Sequence, residues 1–489
     1  MQGKFILNGE TINVHDVAPT TTVLEWLRST GRSGTKEGCA EGDCGACTIA
    51  ILDDESHAGP QWRGVCSCIM MLPQVFGKKL VTVEGLSTGN KLHPAQKAMV
   101  DALGSQCGYC TPGFVMSLFE STYRQDLDEP WKFDDQICGN LCRCTGYRPI
   151  QDALKTVAGT RPKDCFLEAL DDSAEPEGIE YAHGGQSYAR PVNWDDLWDA
   201  LDVPSARLIN GSTDLGLWVT QKNHHFEHLV DLGGLSDLRV INDIPTGVSI
   251  GAGVLLAELE AWSADRLPAL AKMLRYFASR QIKNRATIGG NLCNASPIGD
   301  LPPVMLGLDA VAVIRSRHGE RRVRFGGSAL SEPGFWTNYR ETSLQDGEIL
   351  AAIEIPSVAS GTYVSSYKVS KRKELDISAV SSTFAIRLNV NNEVEHLRLA
   401  YGGMAATPLR AYEAENCLLG SELTPELIER AVDSLRQDFT PLTDHRGTAW
   451  YRMEVASNLL RGFFDDFANQ REVKLPARPS GTIMWGGES

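Results

Sequence analysis

The sequence predicts a multidomain α+β protein. Three observations lead to this fold class: the length of the chain, the uneven distribution of its cysteines, and a change in the pattern of strands and helices along it. The chain has 489 residues, which corresponds to about three or four domains of ordinary size. Ten of its 13 cysteines precede residue 145. We therefore expect several separate cores, with metal-binding chemistry concentrated in the first third of the chain.

The composition argues against several classes of function. The chain is 42% hydrophobic and 22% charged, which is usual for a globular protein, and its formal net charge is −15. This charge disfavours broad binding to nucleic acid or to an anionic membrane. The amino terminus lacks the apolar core of a secretory signal, and the apolar run at residues 304–314 is far shorter than the roughly 20 residues of a membrane span. We therefore expect a cytoplasmic protein.

The first predicted domain, residues 1–86, is a small mixed unit of strands and a helix. Two apolar segments flank the pair Asn8 and Gly9, which is a strong hairpin signal. A helix is expected after Thr22, which begins a capping-box pattern. The predicted strands lie at residues 4–7, 11–14, 48–52 and 80–83.

The second predicted domain, residues 87–165, is helical. Its central helix is expected to have Thr111 as its N-cap and Pro112 at its first position, where a missing N–H costs nothing. The predicted helices lie at residues 94–103 and 112–123 and around Cys138 and Ile150.

The remainder of the chain divides by composition. An acidic stretch with little apolar periodicity predicts a linker, and short strands alternating with helices predict α+β domains after it. The predicted segments are a linker at residues 166–185, α+β domains at 186–360 and 361–475, and a loosely held tail at 476–489.

The first group of cysteines has the spacing of an iron–sulfur site. Cys39, Cys44 and Cys47 follow the C-x4-C-x2-C pattern of plant-type [2Fe–2S] ferredoxins, which need a fourth cysteine further along the chain. Glycines interspersed among them let backbone N–H groups approach the sulfurs. A zinc site is the alternative, although structural zinc usually takes pairs of short C-x2-4-C turns. The fourth ligand is Cys66 or Cys68, and spacing does not choose between them.

The second group of cysteines combines a C-x2-C and a C-x-C turn, formed by Cys107 with Cys110 and by Cys142 with Cys144. Spacing alone leaves zinc and a second iron–sulfur cluster as competing interpretations. The neighbouring plant-type site favours the cluster, because a lone cluster in a large protein needs an electron partner nearby. The other cysteines are interpreted as ordinary thiols: Cys138, Cys165, Cys293 and Cys417.

Two glycine-rich patches follow the linker. Residues 207–216 (RLINGSTDLG) predict a strand that opens into a small-residue turn able to bind a phosphate, and residues 287–291 (TIGGN) have similar chemistry. An ordinary glycine-rich turn is the alternative for the first patch. The pair Gly251 and Gly253 does not complete a dinucleotide-binding fingerprint, because position 256 is leucine.

Three cysteine motifs together resemble the iron–sulfur signatures of the xanthine dehydrogenase and aldehyde oxidase family of molybdenum hydroxylases. They are EGCAEGDCGACT at residues 37–48, QCGYCTPG at 106–113 and GNLCRCTGYRPI at 139–150. The resemblance implies a plant-type ferredoxin-like β-grasp domain, a helical-bundle [2Fe–2S] domain, a vanillyl-alcohol-oxidase-type FAD-binding domain and a C-terminal α+β domain like that of the CO dehydrogenase flavoprotein. Aligning VTVEG at residues 81–85 with the family selects Cys68. The implied iron ligands are Cys39, Cys44, Cys47, Cys68, Cys107, Cys110, Cys142 and Cys144.

The same resemblance implies the residues that contact FAD. The charged segment at residues 367–378 is similar to the family's loop near the flavin, which influences access of NAD. No residue is assigned as a catalytic acid or base. The implied FAD-binding residues are Leu208, Ile209, Asn210, Gly211, Ser212, Thr213, Asp214, Phe277, Thr287, Ile288, Gly289, Gly290, Asn291, Asp300, Ile349, Leu350 and Lys368.

An Fe–S, Fe–S, FAD order on one chain resembles the family's electron-transfer subunit. The resemblance implies a larger molybdopterin-binding partner in an α2β2 heterotetramer, with Gln106 and Cys144 near the molybdopterin. Electrons from hypoxanthine and xanthine, oxidised to urate in purine catabolism, would pass through two [2Fe–2S] clusters to FAD and then NAD. The alternatives are an aldehyde or other N-heterocycle hydroxylase, a free-standing NADH-dependent Fe–S flavin reductase, and a zinc-stabilised interaction protein.

Overall fold

The computed structural model describes residues 3–54, 59–87, 89, 91–171, 177–327, 329, 332, 334–372, 375–471 and 473. The predicted tail at 476–489 and part of the predicted linker lie outside the described residues. The chain forms two compact units: Met1–Asp237 with Ala278–Ala286, and Leu238–Phe277 with Thr287–Ser489. Each unit is described by itself.

The first unit begins with a five-stranded mixed sheet. Its strands follow the order β2-β1-β5-β3-β4, and β1 pairs with β5 in parallel. The predicted hairpin at Asn8 and Gly9 is confirmed, because Leu7 pairs with Glu10 and both turn residues have positive φ. Thr22 caps the helix Val23–Ser29 by accepting the N–H of Glu25. The strands are β1 (Gly3–Leu7), β2 (Glu10–Val14), β3 (Thr48–Asp53), β4 (Gln61–Cys66) and β5 (Lys79–Val81).

A group of helices follows this sheet in the first unit. The central helix begins one residue earlier than expected, at Thr111, because the carbonyl of Cys110 already accepts the N–H of Phe114. Apolar side chains such as Phe114 and Ile150 form the core of the group. The helices are Pro94–Asp101, Thr111–Tyr123, Pro130–Cys138, Arg148–Val157 and Cys165–Glu168.

A second sheet of four strands completes the first unit. Its order is β6-β7-β9-β8, with β9 parallel to both of its neighbours. The strands are β6 (Ile179–His183), β7 (Gln186–Arg190), β8 (Ala206–Ile209) and β9 (His228–Asp231), and the helices are Trp194–Leu201, Leu215–Thr220 and Arg280–Lys283. Short 3-10 helices occur at Ser67–Ile69, Leu72–Val75, Val83–Gly85, Ala169–Asp171, Leu232–Gly234 and Ser236–Arg239.

The second unit contains an antiparallel sheet in the order β10-β11-β16-β12-β13, beside a small β14-β15 hairpin. The all-antiparallel pairing agrees with the absence of a dinucleotide-binding fingerprint, and a Cβ on Gly251 would lie 2.3 Å from the carbonyl oxygen of Leu238. This glycine therefore serves close packing. The strands are β10 (Ile241–Ile244), β11 (Gly247–Gly251), β12 (Val311–Ser316), β13 (Gly319–Arg324), β14 (Trp336–Asn338), β15 (Glu341–Thr342) and β16 (Glu348–Pro356), and the helices are Leu256–Ser263, Pro268–Arg275, Ile288–Cys293 and Leu301–Gly307.

The last part of the second unit is a four-stranded antiparallel sheet covered by helices. Its core includes Phe384, whose ring lies 5.3 Å from that of Phe463 in an edge-on arrangement. Within the described chain, no helix combines the length and apolar character needed to cross a bilayer. The strands are β17 (Tyr363–Val369), β18 (Val380–Leu388), β19 (Val394–Gly402) and β20 (Leu409–Arg410), and the helices are Tyr412–Leu418, Pro425–Asp438 and Ala449–Ala468.

Candidate functional site

The first cysteine loop directs backbone N–H groups at the sulfur of Cys39. The N–H groups of Glu41, Asp43 and Cys44 donate to Cys39 Sγ at 3.4, 3.3 and 3.3 Å. The N–H of Cys39 donates in return to Cys44 Sγ at 3.3 Å. Such donors stabilise a negative sulfur, which is the form that binds iron.

Glycines make this tight loop possible. Gly42 and Gly45 have φ of +80° and +67°, a region that residues with a Cβ rarely adopt. A Cβ on Gly38 would lie 2.7 Å from Cys44 Sγ, and a Cβ on Gly45 would lie 2.3 Å from the carbonyl oxygen of Gly139. The loop therefore leaves no room for side chains at these positions.

The sulfurs of the first group lie in pairs. Cys39 and Cys44 are hydrogen-bonded through their side chains, and the Sγ atoms of Cys47 and Cys68 are 3.3 Å apart. A [2Fe–2S] cluster takes two protein ligands at each iron. This donor set therefore fits such a cluster.

Cys66 lies beside the same sulfurs. It ends strand β4, its buried thiol donates to the carbonyl of Gly42 at 3.5 Å, and its side chain also hydrogen-bonds Cys47. Cys68 lies two residues after Cys66, in the 3-10 helix Ser67–Ile69. Both thiols therefore reach Cys47 in the described chain.

Hydrogen bonds within each pair separate the pKa values of its thiols. Hydrogen bonds from the Cys44 thiol and from backbone N–H groups lower the pKa of Cys39 to about 6 against the opposing effect of burial. Hydrogen bonds from Cys66 and Cys68 lower the pKa of Cys47. The hydrogen bond to Cys47 and burial raise the pKa of Cys66 and of Cys68. In the first cysteine group, Cys39 and Cys47 therefore ionise readily, and the neighbouring thiols donate to them.

The second cysteine group is also paired. The side chains of Cys110 and Cys142 are hydrogen-bonded to each other, as are those of Cys107 and Cys144. Cys107 and Cys144 are exposed, whereas Cys110 and Cys142 are partly buried. The pKa of Cys110 is raised to about 12, mainly by burial and in addition by the hydrogen bond that its thiol donates to Cys142. The pairing again matches a site with two cysteines for each of two irons.

Residues of the GNLCRCTGYRPI motif orient the second group. The N–H of Cys142 donates to the hydroxyl of Tyr147 at 2.9 Å, and Thr145 Oγ1 donates to Cys142 Sγ at 3.2 Å. Tyr147 has φ of +66°, which a non-glycine residue adopts only when its surroundings hold it there. The motif therefore supplies two of the predicted ligands and the residues that position them.

The sulfurs of each group lie in two pairs, which is the arrangement that a two-iron cluster with two cysteines at each iron takes.

The two cysteine loops are packed against each other within the first unit. Asn140 Nδ2 donates to the carbonyl of Gly45 at 3.0 Å, and Asn140 Oδ1 accepts from Ser117 Oγ at 2.6 Å and from Gln281 Nε2 at 2.8 Å. Asn140 is 2% exposed. It therefore connects the loop of the first cysteine group with the loop of the second.

The helix Arg280–Lys283 is held by buried charges in the same unit. Lys283 Nζ is 2.8 Å from Asp135 Oδ1, and both side chains are buried. Arg280 Nε is 3.3 Å from Glu120 Oε1. These ion pairs join the segment at residues 278–286 to the helices Pro130–Cys138 and Thr111–Tyr123.

The predicted FAD-binding residues fall in both units. Those at residues 208–214 lie in the first unit, at the end of β8 and in the turn that follows it. Ser212 in this turn has φ of +66°. A Cβ on Gly211 would lie 2.1 Å from the carbonyl oxygen of Arg285, so that position has room only for glycine.

The second glycine patch lies in the second unit. Thr287 caps the helix Ile288–Cys293 by accepting the N–H of Gly290 at 3.1 Å. Gly289 packs so closely on Ala252 that a Cβ would lie 2.6 Å from its carbonyl oxygen. The buried Oδ1 of Asn291 has no hydrogen-bond partner among the described residues. An unsatisfied buried oxygen next to glycines fits a site that binds a polar ligand.

Asp300 and Lys368 form a buried ion pair in the second unit. Lys368 Nζ is 2.6 Å from Asp300 Oδ2 and also donates to the carbonyl of Tyr276 at 3.2 Å. Asp300 Oδ1 accepts from Ser378 Oγ at 2.5 Å. The structure thus brings together two of the predicted FAD residues that are 68 positions apart.

Three other predicted FAD residues are apolar. Ile349 and Leu350 are buried in strand β16, where they pair with Arg315 and Ile314. Phe277 follows the helix Pro268–Arg275 and is partly buried.

The predicted charged loop is held by its own polar contacts. Lys371 Nζ donates to the carbonyl of His445 at 2.6 Å, and the N–H of Arg372 donates to Asp376 Oδ2 at 2.8 Å. Residues 373 and 374 of this loop lie outside the described part of the chain.

Sequence reasoning did not assign a role to the buried amides around these sites. Gln74, Asn140 and Gln281 are all at most 2% exposed and hydrogen-bond to loops that carry predicted ligands. Asn140 was inside a recognised motif, but Gln74 and Gln281 have no distinctive local pattern. Their partners are more than 130 positions away, so only the fold reveals them.

Comparison with protein families identifies four domains along the chain. They are a 2Fe-2S iron-sulfur cluster binding domain at residues 5–72, a [2Fe-2S] binding domain at 82–155, the FAD binding domain in molybdopterin dehydrogenase at 181–358, and the CO dehydrogenase flavoprotein C-terminal domain at 365–467. The predicted fold class is confirmed, as is the predicted set of two [2Fe–2S] clusters and FAD.

Among characterised relatives, xanthine dehydrogenase of Emericella nidulans is 33% identical over 96% of this chain and 39% of its own length. Xanthine dehydrogenase/oxidase of Rattus norvegicus is 31% identical over 95% of this chain and 38% of its own length. The chain therefore spans about two fifths of the length of these relatives.

Solved structures match a little over half of the chain. Carbon monoxide dehydrogenase from Hydrogenophaga pseudoflava aligns with a TM-score of 0.52 and 28% identity, covering 56% of this chain and 94% of the matched chain. Quinoline 2-oxidoreductase from Pseudomonas putida 86 aligns with a TM-score of 0.52 and 25% identity, covering 58% and 96%.

The fold and the cofactor domains define an iron–sulfur flavoprotein of the oxidoreductase class. More specifically, the chain matches the iron–sulfur and FAD-binding part of the molybdenum hydroxylases.

Proposed function

We propose that the chain is the electron-transfer subunit of a xanthine dehydrogenase. It would receive electrons from molybdopterin in a larger partner subunit and deliver them to NAD while hypoxanthine and xanthine are oxidised to urate. When bound, the two [2Fe–2S] clusters and FAD supply the redox chemistry, and the protein holds and orients them.

The observation that carries this proposal is the paired arrangement of eight cysteines within one unit. Each group offers two pairs of sulfurs, and glycine-rich backbone surrounds the first group. We assign one cluster to the first four cysteines and one to the second four. The proposed ligands are Cys39, Cys44, Cys47 and Cys68, and Cys107, Cys110, Cys142 and Cys144.

The proposed FAD-binding residues contribute in two ways. The turn at residues 210–214 and the patch at 287–291 offer backbone N–H groups and small side chains to phosphate and ribityl oxygens. The pair of Asp300 and Lys368 offers buried charge. The turn, the patch and Asp300 lie within the FAD-binding domain matched at residues 181–358, whereas Lys368 lies within the CO dehydrogenase flavoprotein C-terminal domain matched at 365–467.

The proposed partner subunit, electron acceptor and substrate are inferred from the similarity to the relatives. Xanthine dehydrogenases are similar to this chain over nearly all of its length, and more than half of each relative lies outside the match. A larger molybdopterin-binding subunit, in an α2β2 heterotetramer in the cytoplasm, would supply the remainder. Gln106 and Cys144, both exposed, would face that subunit.

A second candidate is the corresponding subunit of a hydroxylase for another substrate. The solved structures that match include a carbon monoxide dehydrogenase and a quinoline 2-oxidoreductase, so neighbours of this fold act on different molecules. The electron-transfer chain of cofactors would be the same in either case. Only the partner's substrate and the final acceptor would differ.

The test is to purify the chain natively with any partner and to measure iron, flavin, molybdenum and substrate-dependent NAD reduction. We expect about four irons and one FAD per chain, molybdenum in a larger partner, and NAD reduction with xanthine. Reduction of NAD with quinoline or an aldehyde but not with xanthine would support the second candidate. Iron and FAD with no molybdenum partner would indicate a free-standing reductase, and zinc without flavin would refute every redox assignment.

A further inference from the structure

The turn at residues 210–214 is held from outside by a glutamine that is 136 positions away. Gln74 Nε2 donates to the carbonyl oxygen of Asn210 at 2.7 Å. Arg285 Nη2 donates to the same oxygen at 3.2 Å. Both lone pairs of this carbonyl are therefore occupied, and the first peptide of the turn is fixed in orientation.

Gln74 is itself held rigidly. Its side chain is 2% exposed, its Oε1 accepts the N–H of Met71 at 3.2 Å, and its Nε2 also lies 3.3 Å from Asp231 Oδ2. Asp231 is fixed in turn by the hydroxyl of Tyr188 at 2.6 Å. A buried amide with all of these partners has one orientation, so it transmits its position to the turn.

A second contact holds the middle of the turn. Ser212 has φ of +66° and is buried, and its Oγ donates to the carbonyl oxygen of Ile69 at 2.6 Å. Ile69 directly follows Cys68, a proposed cluster ligand. The left-handed conformation of Ser212 is thus secured by the segment that carries this cysteine.

A third contact is made by Gly216, in the helix Leu215–Thr220 that follows the turn. A Cβ on Gly216 would lie 2.3 Å from the carbonyl oxygen of Ile69, and the N–H of Gly216 donates to the carbonyl of Ser212 at 2.7 Å. The turn therefore contacts the ferredoxin-like domain at two places and the helix after it at a third, whereas the small residues of the turn impose little shape by themselves.

We infer that Gln74, a residue of the ferredoxin-like domain, is a positioning residue for FAD. It holds the turn at residues 210–214, together with the contact between Ser212 and Ile69, in the conformation that receives the FAD pyrophosphate. This inference rests on the proposed role of the turn in FAD binding. Loss of Gln74 removes the shorter of the two hydrogen bonds to the carbonyl of Asn210 and leaves the bond from Arg285 Nη2, so that the neighbouring N–H groups converge less closely on the phosphates.

The experiment compares FAD binding by the purified holoenzyme and by variants, after release of the bound flavin with chaotropic salt. Rebinding is titrated through quenching of FAD fluorescence. Gln74→Met keeps the length of the side chain and removes its hydrogen bonds, and Ser212→Ala removes the contact with Ile69. For each variant we expect the dissociation constant for FAD to rise about three- to tenfold, as for the loss of one hydrogen bond, with unchanged iron content.

Tyr181→Phe is the matched control. The hydroxyl of Tyr181 donates to the carbonyls of His15 and Val17 at 2.7 Å, so it also joins the second sheet to the ferredoxin-like domain but does not contact the turn. We expect its affinity for FAD to equal that of the wild type. Riboflavin, which has no pyrophosphate, is expected to bind the wild type and Gln74→Met equally.

The outcomes separate the inference from the proposed function. If both turn variants bind FAD as tightly as the wild type does, the positioning role is refuted. Equal weakening by Tyr181→Phe, or equal loss of riboflavin affinity, would show general loosening and would also refute it. If Gln74→Met does not fold, Gln74→Leu, which also lacks the donor to Asn210, decides by the same criteria. Failure of the wild type to bind any FAD would instead overturn the proposed function.

Discussion

The N–H of Leu141 donates to the backbone carbonyl of Cys44 at 3.0 Å. Cys44 belongs to the first cysteine group, and Leu141 immediately precedes Cys142 of the second. The two loops are therefore joined by backbone as well as by the side chain of Asn140. This contact makes the geometry of each proposed cluster site depend on the other.

Asn140→Ala is expected to weaken both cysteine loops. It removes donors and acceptors that Gly45, Ser117 and Gln281 use, and it leaves buried partners unsatisfied, which costs about 1–3 kcal/mol. We expect a lower midpoint of thermal unfolding and a faster loss of iron to a chelator. Visible absorption spectroscopy measures the rate of iron loss. Asn458→Ala, at an exposed helix position, is the control and should behave as the wild type. Unchanged iron release in Asn140→Ala would contradict the bridging role.

Substitution of Cys66 and Cys68 tests the proposed ligand set. Cys68→Ser is expected to lower the iron content from about four to about two atoms per chain, because one [2Fe–2S] cluster loses a ligand. Cys66→Ser should retain about four. Iron analysis and electron paramagnetic resonance measure the result, with Cys417→Ser as the control. Retention of both clusters in Cys68→Ser together with loss of one cluster in Cys66→Ser would exchange the two assignments.

The ion pair of Lys283 and Asp135 is expected to stabilise the protein. Replacing only one of the two residues should lower the free energy of unfolding more than replacing both. Lys283→Met leaves a buried carboxylate without its main partner, which typically costs about 3–5 kcal/mol. The double variant Lys283→Met with Asp135→Leu should recover much of this loss, because no buried charge remains unpaired. The free energy of unfolding of the single and the double variant is measured by urea denaturation of the protein, with tryptophan fluorescence as the signal. Equal destabilisation by the single and double variants would contradict the pairing.

The same pair predicts a pH dependence of stability. Burial alone raises the pKa of Asp135, but the charges of Lys283, Arg280 and Arg124 outweigh it and hold this pKa below its ordinary value. A carboxyl with a depressed folded pKa stabilises the fold above its unfolded pKa of about 3.9, and this contribution is lost as pH falls through the folded pKa. Asp135→Asn should therefore show a weaker fall in stability below about pH 4 than the wild type. Parallel curves for both proteins would refute this assignment.

Lys368→Met is expected to lower the FAD content. It leaves Asp300 buried without its 2.6 Å partner, in a part of the second unit proposed to contact the flavin. Iron content should stay at about four atoms per chain, because the cysteines lie in the other unit. Flavin released by acid and measured by absorbance gives the result. Lys272→Met, a partly buried lysine that contacts Ser365, is the control and should retain FAD.

Local signals in the sequence predicted the elements that depend on few neighbours. The hairpin at Asn8 and Gly9 and the cap at Thr22 formed as expected, because turn and cap geometry is set within three or four residues. The helix expected at residue 112 began at Thr111, within the usual uncertainty of a boundary. The cysteine spacings likewise predicted two metal-binding groups, since the closely spaced cysteines, such as Cys39 with Cys44, lie on short loops.

Sequence spacing did not reveal which of Cys66 and Cys68 is the fourth ligand, nor the contacts that hold the turn at residues 210–214. Cys66 and Cys68 are two residues apart, and both prove to lie against Cys47. Gln74 and Asn210 are 136 positions apart and meet only when two sheets of the first unit pack together. Their contact depends on the position of every intervening element.

The sequence by itself determined that the cysteines of the first third form two groups and which family their motifs resemble. Those features are local patterns of residue type, and local patterns survive in any arrangement of the rest of the chain. Only the tertiary structure decided which buried amides and charges support the sites, such as Asn140, Gln74, and Lys283 with Asp135. These contacts join residues far apart in sequence, so they arise from packing, which leaves no signature in neighbouring residues.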